Sequence, residues 1–223
     1  MKKTLSAPPK AAAPKRARGR PRSFDREQAL ERAMEVFWGK GFEGASLSDL
    51  TDAMGINPPS LYAAFGDKEQ LFIEAMERYQ RRAGESCPYC DEPTARAAIE
   101  KLLLYMAQEL TSSEHPRGCL MALAAATSNS ASSRLKDALA AKRMASRARL
   151  KQRIERGMKE GDVPAGTDAG ALADFFSTIM SGMSMQAKDG VARKSLLATV
   201  KSAMAIFPAV EPKRSTRSVA EAA

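Results

Sequence analysis

The 223-residue chain reads as an all-α protein, with three short N-terminal helices followed by longer ones. Three observations carry this expectation. Apolar residues recur at helical spacing, as in Leu30, Ala33, Met34 and Phe37. Strand-like alternation is nearly absent. Capping residues and Gly/Pro stops punctuate the chain at short intervals.

The first helix opens at Asp25, with Gln28 placed to close a capping box and Phe24 in the hydrophobic-staple position. The segment "GKGFEG" (39–44) ends it, Gly41 supplying the left-handed residue that closes a helix. Ser46 caps a second helix through Met54, with Leu47, Leu50 and Met54 expected on its buried face, and Gly55 stops it. The next stretch, "GINPPSLYAAFGDK" (55–68), holds two adjacent prolines. They do not break a helix, because Asn57 is an N-cap and the first turn has no intrahelical N–H partners to lose. The third helix therefore runs from Pro58 to Phe65, and Gly66 breaks it. A turn of two or three residues, with Ile56 pointing inward, joins it to the second. Two short helices around a glycine-containing turn read as a helix-turn-helix.

Asp67 with Gln70 opens a fourth helix, from Lys68 to about Ala83. Further helices are expected near Thr94–Thr111, Cys119–Thr127, Ser133–Glu160, Asp168–Ala187 and Ser195–Phe207. The resulting division is a basic arm (1–22), a helix-turn-helix domain (23–83), a second helical domain (84–210) and a polar tail (211–223).

Charge is distributed unevenly. Residues 1–22 hold eight bases, Lys2, Lys3, Lys10, Lys15, Arg16, Arg18, Arg20 and Arg22, and no acid. Residues 23–80 hold 11 acids against 5 bases. A disordered basic arm on an acidic domain suits nucleic acid, an acidic membrane surface or mere solubility. "RARGRPR" (16–22) has the character of a minor-groove arm, with Arg18, Arg20 and Arg22 as its contacts. No apolar run reaches the length of a membrane span, and no secretion signal is read, so a cytoplasmic location is expected. Three cysteines give no disulfide framework, and no cofactor or metal ligand set is read.

A helix that enters the major groove needs small residues near the duplex and a few polar ones for phosphates and base edges. The third helix has Ser60, Ala63 and Ala64, with Leu61 and Phe65 to bury and the Tyr62 hydroxyl free for a phosphate. The rival reading is a core helix with an exposed tyrosine.

At "SFDREQALERAMEVFWGKGFEGASLSDLTDAMGINPPSLYAAFGDKEQLF" (23–72) the chain resembles the tetracycline-repressor (TetR/AcrR) family of bacterial transcriptional regulators. "KGF", "SLSDL", "MGI" and above all "SLYAAFGDKEQLF" carry the likeness, while "HPRGCLMALAA" (115–125) suggests a subgroup. The resemblance implies a homeodomain-like three-helix DNA-binding domain and a helical ligand-binding and dimerisation domain. Ser46 then lies at a phosphate-contacting helix start, Pro59, Ser60 and Tyr62 fall on the recognition helix, and Lys68 stands at a helix N-terminus that favours phosphate. Pro58, Pro59, Ala63 and Ala64 stand where many relatives carry polar or His side chains, so base readout shifts toward the arm, thymine methyls and DNA shape.

The last two helices carry apolar stripes: Leu172, Phe175, Phe176, Ile179, Met180 and Met183, then Leu196, Leu197, Val200, Met204 and Phe207. They suit a homodimer interface through 168–187 and 195–207, or a plain intramolecular core. Met106, Met121, Leu123 and Met144 are candidates for an effector cavity, because Met adapts to irregular ligands, or are core filling. Trp38 reads as packing, and His115 lies before Pro116 in a loop. "CPYC" (87–90) resembles the motif of glutaredoxin-like oxidoreductases, but no βαβ context surrounds it, so catalysis is not expected. Cys87, Cys90 and Cys119 are candidates for a thiol sensor, or incidental. A basic architectural protein of low sequence preference is the remaining class. The expected function is a homodimeric repressor, released from a palindromic double-stranded DNA operator by a small-molecule effector.

Overall fold

The computed structural model describes residues 24–85, 91–127 and 132–209. Among them the chain forms α1 (Arg26–Gly44), α2 (Leu47–Met54), α3 (Pro58–Phe65), α4 (Lys68–Glu85), α5 (Ala95–Glu109), α6 (Leu120–Thr127), α7 (Ser133–Glu160), α8 (Ala169–Lys188) and α9 (Arg193–Met204). The arm with Arg18, Arg20 and Arg22, the pair Cys87 and Cys90, and the tail from 211 lie outside the described residues.

Local capping chemistry sets most of the boundaries. The Asp25 carboxylate accepts from the backbone N–H groups of Glu27 and Gln28. Asn57 accepts from the Ser60 N–H at 2.9 Å, with Pro58 and Pro59 in the first two positions of α3. Asp67 accepts from the Gln70 N–H at 2.7 Å. Ser46 and Asp49 form a reciprocal capping box at the start of α2. Gly55 takes the left-handed conformation (φ 68°, ψ 33°) that turns the chain from α2 into α3.

One sequence expectation is refined here and one fails. Gly41 takes the positive φ expected of it, with an extended ψ (φ 73°, ψ 173°), and interrupts α1 at a kink; a short helical stretch beyond it ends at Gly44 and buries Phe42. Leu47 does not share the buried face of Leu50 and Met54. In the first turn of α2 it is 36% exposed.

The buried side chains fall into two clusters. The first joins α1–α4 through Leu30, Met34, Phe37, Leu50, Leu61, Phe65, Phe72 and Met76. Leu120 and Ala124 of α6 and Leu135 and Leu139 of α7 also enter it, so the N-terminal helices rest on the following ones. Phe37 and Phe72 meet edge to face at 4.8 Å, tying α1 to α4. The second cluster joins Ile99 and Leu103 of α5, Ile154 of α7, Phe176 and Met183 of α8, and Leu196 and Val200 of α9, closed by Phe207. Much of the two terminal stripes is thus consumed inside the chain, and Phe175, Ile179, Met180 and Leu197 remain half-buried at its edge. No helix among the described residues is long and apolar enough to cross a membrane.

Candidate DNA-binding face and effector cavity

α3 is a short helix with two different sides. Leu61 and Phe65 are buried, each contributing about 1.5–3 kcal/mol of burial free energy. Pro58, Pro59, Tyr62 and Ala63 face outward, with Tyr62 49% exposed and Ser60 half-buried beside them. Ser46, Leu47 and Ser48 at the start of α2 are exposed as well.

A residue the sequence reading passed over fixes the orientation of this face. The Arg26 guanidinium donates to the Ala64 carbonyl at 3.2 Å and to Glu74 Oε2 at 2.6 Å. It also lies 4.4 Å from the centre of the Phe65 ring. One side chain of α1 therefore joins the end of α3 to α4. Nothing local announces it, because its partners lie 38 and 48 residues away.

The Ser46 hydroxyl is occupied by the capping box. It donates to Asp49 Oδ2 at 2.8 Å and accepts from the Asp49 N–H at 3.0 Å. Lys40 reaches Asp49 at 2.5 Å, and that hydrogen bond, with those from Ser46, holds the Asp49 carboxyl well below the usual carboxylate range. A permanent carboxylate next to the α2 start is thereby neutralised from α1. Lys68 opens α4 with its ammonium 4.7 Å from the centre of the Phe42 ring. Partial burial pulls its amine below the ordinary lysine value, and the nearby Glu43 carboxylate opposes that shift.

The second site is a cavity of about 550 Å³, inside the roughly 300–1,000 Å³ range of small-molecule sites. Its wall includes Met106 and Met121, as expected, together with Cys119. Leu123 does not reach it. That side chain lines a smaller groove of about 180 Å³ beside Gly39 and Gly41. Met144 is on neither wall and is 66% exposed, because it lies on the solvent side of α7, whose buried positions are Leu135, Leu139, Leu150 and Ile154. The wall also takes Trp38 from α1 and Tyr79, Gln80 and Arg82 from α4, which the sequence reading did not place there. Tyr79 could have been found, since it continues the helical spacing of Phe72 and Met76.

The turn "HPRGC" (115–119) meets the cavity at Gly118 and Cys119. The Trp38 Nε1–H donates to the Gly118 carbonyl at 2.8 Å. His115 is packed away from solvent, stacked 4.3 Å from the indole with its Nε2 3.5 Å from a Glu109 carboxylate oxygen. Cys119 N–H donates to the buried Ser184 hydroxyl of α8 at 2.8 Å, and the Tyr79 hydroxyl lies 3.4 Å from Cys119 Sγ. Burial, and next the neighbouring Cys119 thiol, push the Tyr79 phenol well above its ordinary value. The cavity therefore touches α1 and α4 directly, the same helices that carry α2 and α3.

An exposed-faced helix-turn-helix over a helical domain with its own cavity defines the class of ligand-responsive DNA-binding regulators. Residues 29–75 match the family described as bacterial regulatory proteins, tetR family, and residues 94–198 match the tetracyclin repressor-like C-terminal domain. The chain is 32% identical over 197 residues to the HTH-type transcriptional repressor ComR of Escherichia coli (strain K12), covering 87% of this chain and 94% of that protein. It is 34% identical over 193 residues to the HTH-type transcriptional repressor BdcR of the same organism, covering 84% and 91%. Among solved structures, a cysteine mutant of the TetR family transcriptional regulator CifR, complexed with 26-base-pair double-strand operator DNA, is 48% identical with a TM-score of 0.82. That match covers 85% of this chain and 100% of the other. The chain belongs to the TetR family of bacterial regulatory proteins. It is a transcriptional regulator and not an enzyme.

Proposed function

We propose that this chain is a homodimeric repressor that binds a palindromic DNA operator and leaves it when an effector fills the cavity behind α1 and α4. One observation carries the reading: Trp38 and Tyr79 are at once cavity wall and parts of the helices that hold the recognition helix. A ligand that moves either side chain biases the spacing of the two DNA-binding units. It can shift the balance only by its differential affinity for the two states.

On this reading Tyr62, Ser60 and Pro59 meet the major groove, Ser46 and Lys68 lie against flanking phosphates, and Arg18, Arg20 and Arg22 enter the minor groove. Residues 23–83 form the DNA-binding domain and 84–210 the effector and dimerisation domain, in the cytoplasm. Pairing through α8 and α9 is supported by the half-buried Phe175, Ile179 and Leu197, and sets two recognition helices about one DNA turn apart. The test is to select bound DNA from a random pool, then screen small molecules for release. Selection without a palindrome would leave a low-specificity architectural protein instead. Deleting residues 1–22 is expected to weaken operator binding at least tenfold and flatten its salt dependence.

A second reading has its own support. Cys119 lies in the cavity wall with the Tyr79 hydroxyl against its sulfur, so a thiol-reactive effector would act where a bound one does. If Cys119→Ser protein still releases DNA under oxidant as the wild type does, this reading fails. The Cys87→Ser/Cys90→Ser variant tests the other two thiols in the same assay.

A further inference from the structure

The cavity wall is sorted by polarity. Trp38, Leu110 and Leu150 are buried, whereas Arg143 and Arg149 of α7 are exposed at its rim. The charged groups of the wall are Arg82, Arg143, Arg149 and Glu109. Arg82 has a partner in Glu31 at 3.5 Å, and Glu109 has His115. Among the described residues Arg143 and Arg149 make no ion pair and no hydrogen bond, although α7 elsewhere pairs its cations, as Arg147 does with Asp174 and Arg156 with Glu160. Two unengaged guanidinium groups thus stand at the mouth of an apolar chamber.

We infer that the effector is an amphipathic carboxylate, its apolar body against Trp38 and Tyr79 and its anionic head on Arg143 and Arg149. This rests on the cavity being the effector site. The guanidinium fork matches a carboxylate with two parallel hydrogen bonds, and it does so at lower hydration cost than an ammonium. A neutral molecule would fill the chamber equally well but would leave both forks in water. A cation would face the two like charges of Arg143 and Arg149 there. The volume suits a ring or short chain rather than a long acyl group carrying a bulky polar carrier.

Trp38 is the only tryptophan of the chain and lies in the wall, so its emission reports occupancy. The full-length protein is titrated with a matched series: 4-phenylbutanoate, 4-phenylbutan-1-ol and 4-phenylbutylamine. The acid is expected to bind at least tenfold more tightly than the alcohol, and the amine most weakly. In an Arg143→Gln/Arg149→Gln variant of unchanged melting temperature, the acid should fall to the affinity of the alcohol, which itself stays as in the wild type. An alcohol that binds as tightly as the acid, or a preference for the acid that survives in the variant, overturns the carboxylate assignment and leaves the cavity reading intact. If none of the three perturbs Trp38, the cavity fails as an effector site and this assignment fails with it.

Discussion

The indole N–H of Trp38 is bonded to the carbonyl of Gly118, so α1 of the DNA-binding unit is fastened to a turn in the cavity wall by a buried hydrogen bond. Trp38→Phe keeps an aromatic ring and removes the donor, leaving that carbonyl buried without a partner. The loss is about 1–3 kcal/mol of stability, the cost of an unsatisfied buried acceptor. Urea unfolding followed by circular dichroism measures it, and an unchanged midpoint would contradict it.

Gly118 itself has φ +87°, a conformation that L side chains rarely adopt. An added Cβ would lie 2.9 Å from Leu123 Cδ1 and 3.1 Å from the Ser184 carbonyl oxygen. Gly118→Ala is therefore expected to cost about 1–3 kcal/mol through backbone strain, and more if Ser184 cannot give way. Thermal melting of the variant against Gly161→Ala separates strain from crowding. Gly161 shares the positive φ (83°) but has nothing within 4 Å of its Cβ position.

Arg26→Met removes the link from α1 to α3 and α4. Both members of the Arg26–Glu74 pair are mostly buried, so the expected loss is about 1.5–3 kcal/mol, the range of hydrogen bonds to charged groups. DNA affinity should fall as well, at temperatures where the variant is still folded, because the Ala64 end of α3 is no longer held. Affinity equal to wild type under those conditions would show that α3 is positioned by Leu61 and Phe65 alone.

Tyr62→Phe isolates one hydroxyl on the exposed face of α3. Stability should change by no more than about 0.5 kcal/mol, as for most surface substitutions. Operator affinity should drop severalfold, similarly across related sequences, as expected for a lost phosphate contact. A drop confined to one base position would instead make Tyr62 a reader of bases.

Tyr79 makes stability fall at alkaline pH. Its folded-state pKa is raised, chiefly by burial and then by the Cys119 thiol, so its contribution is whole below the ordinary phenol value of about 10. Above that pH the unfolded chain sheds the proton and the folded chain keeps it, and stability declines as pH climbs. Tyr79→Phe should flatten the decline. Phenolate absorbance in a pH titration should show one tyrosine ionising later than the others.

The parts of the molecule written in short-range chemistry were legible in the sequence. Asn57 before two prolines names the start of α3 because the cap bond to Ser60 spans three residues. Leu61 and Phe65 name its buried side through helical spacing. Leu47 was misplaced because the period of an eight-residue helix does not reveal which edge of the apolar side meets solvent. Met144 was misplaced for a related reason: 28-residue α7 runs past two clusters and a cavity, and its composition does not mark which turn faces which. The cavity wall was the least legible part. It draws on six helices, α1 and α4 to α8, and on Gly118 and Cys119 between α5 and α6, and residues such as Trp38 and Cys119 meet there only after the fold is made.

The paired prolines at the head of α3 also change how the outer face would sort DNA sequences. Side chains with donors and acceptors reward the right base. A tip made of two pyrrolidine rings has no such reward to give, and against bases it would discriminate by penalty. A base edge that loses its water against Pro58 or Pro59 gains no hydrogen bond in return, while a thymine methyl loses nothing. Such a helix would reject sequences more than it attracts them, and the attraction would have to be delivered from another part of the chain.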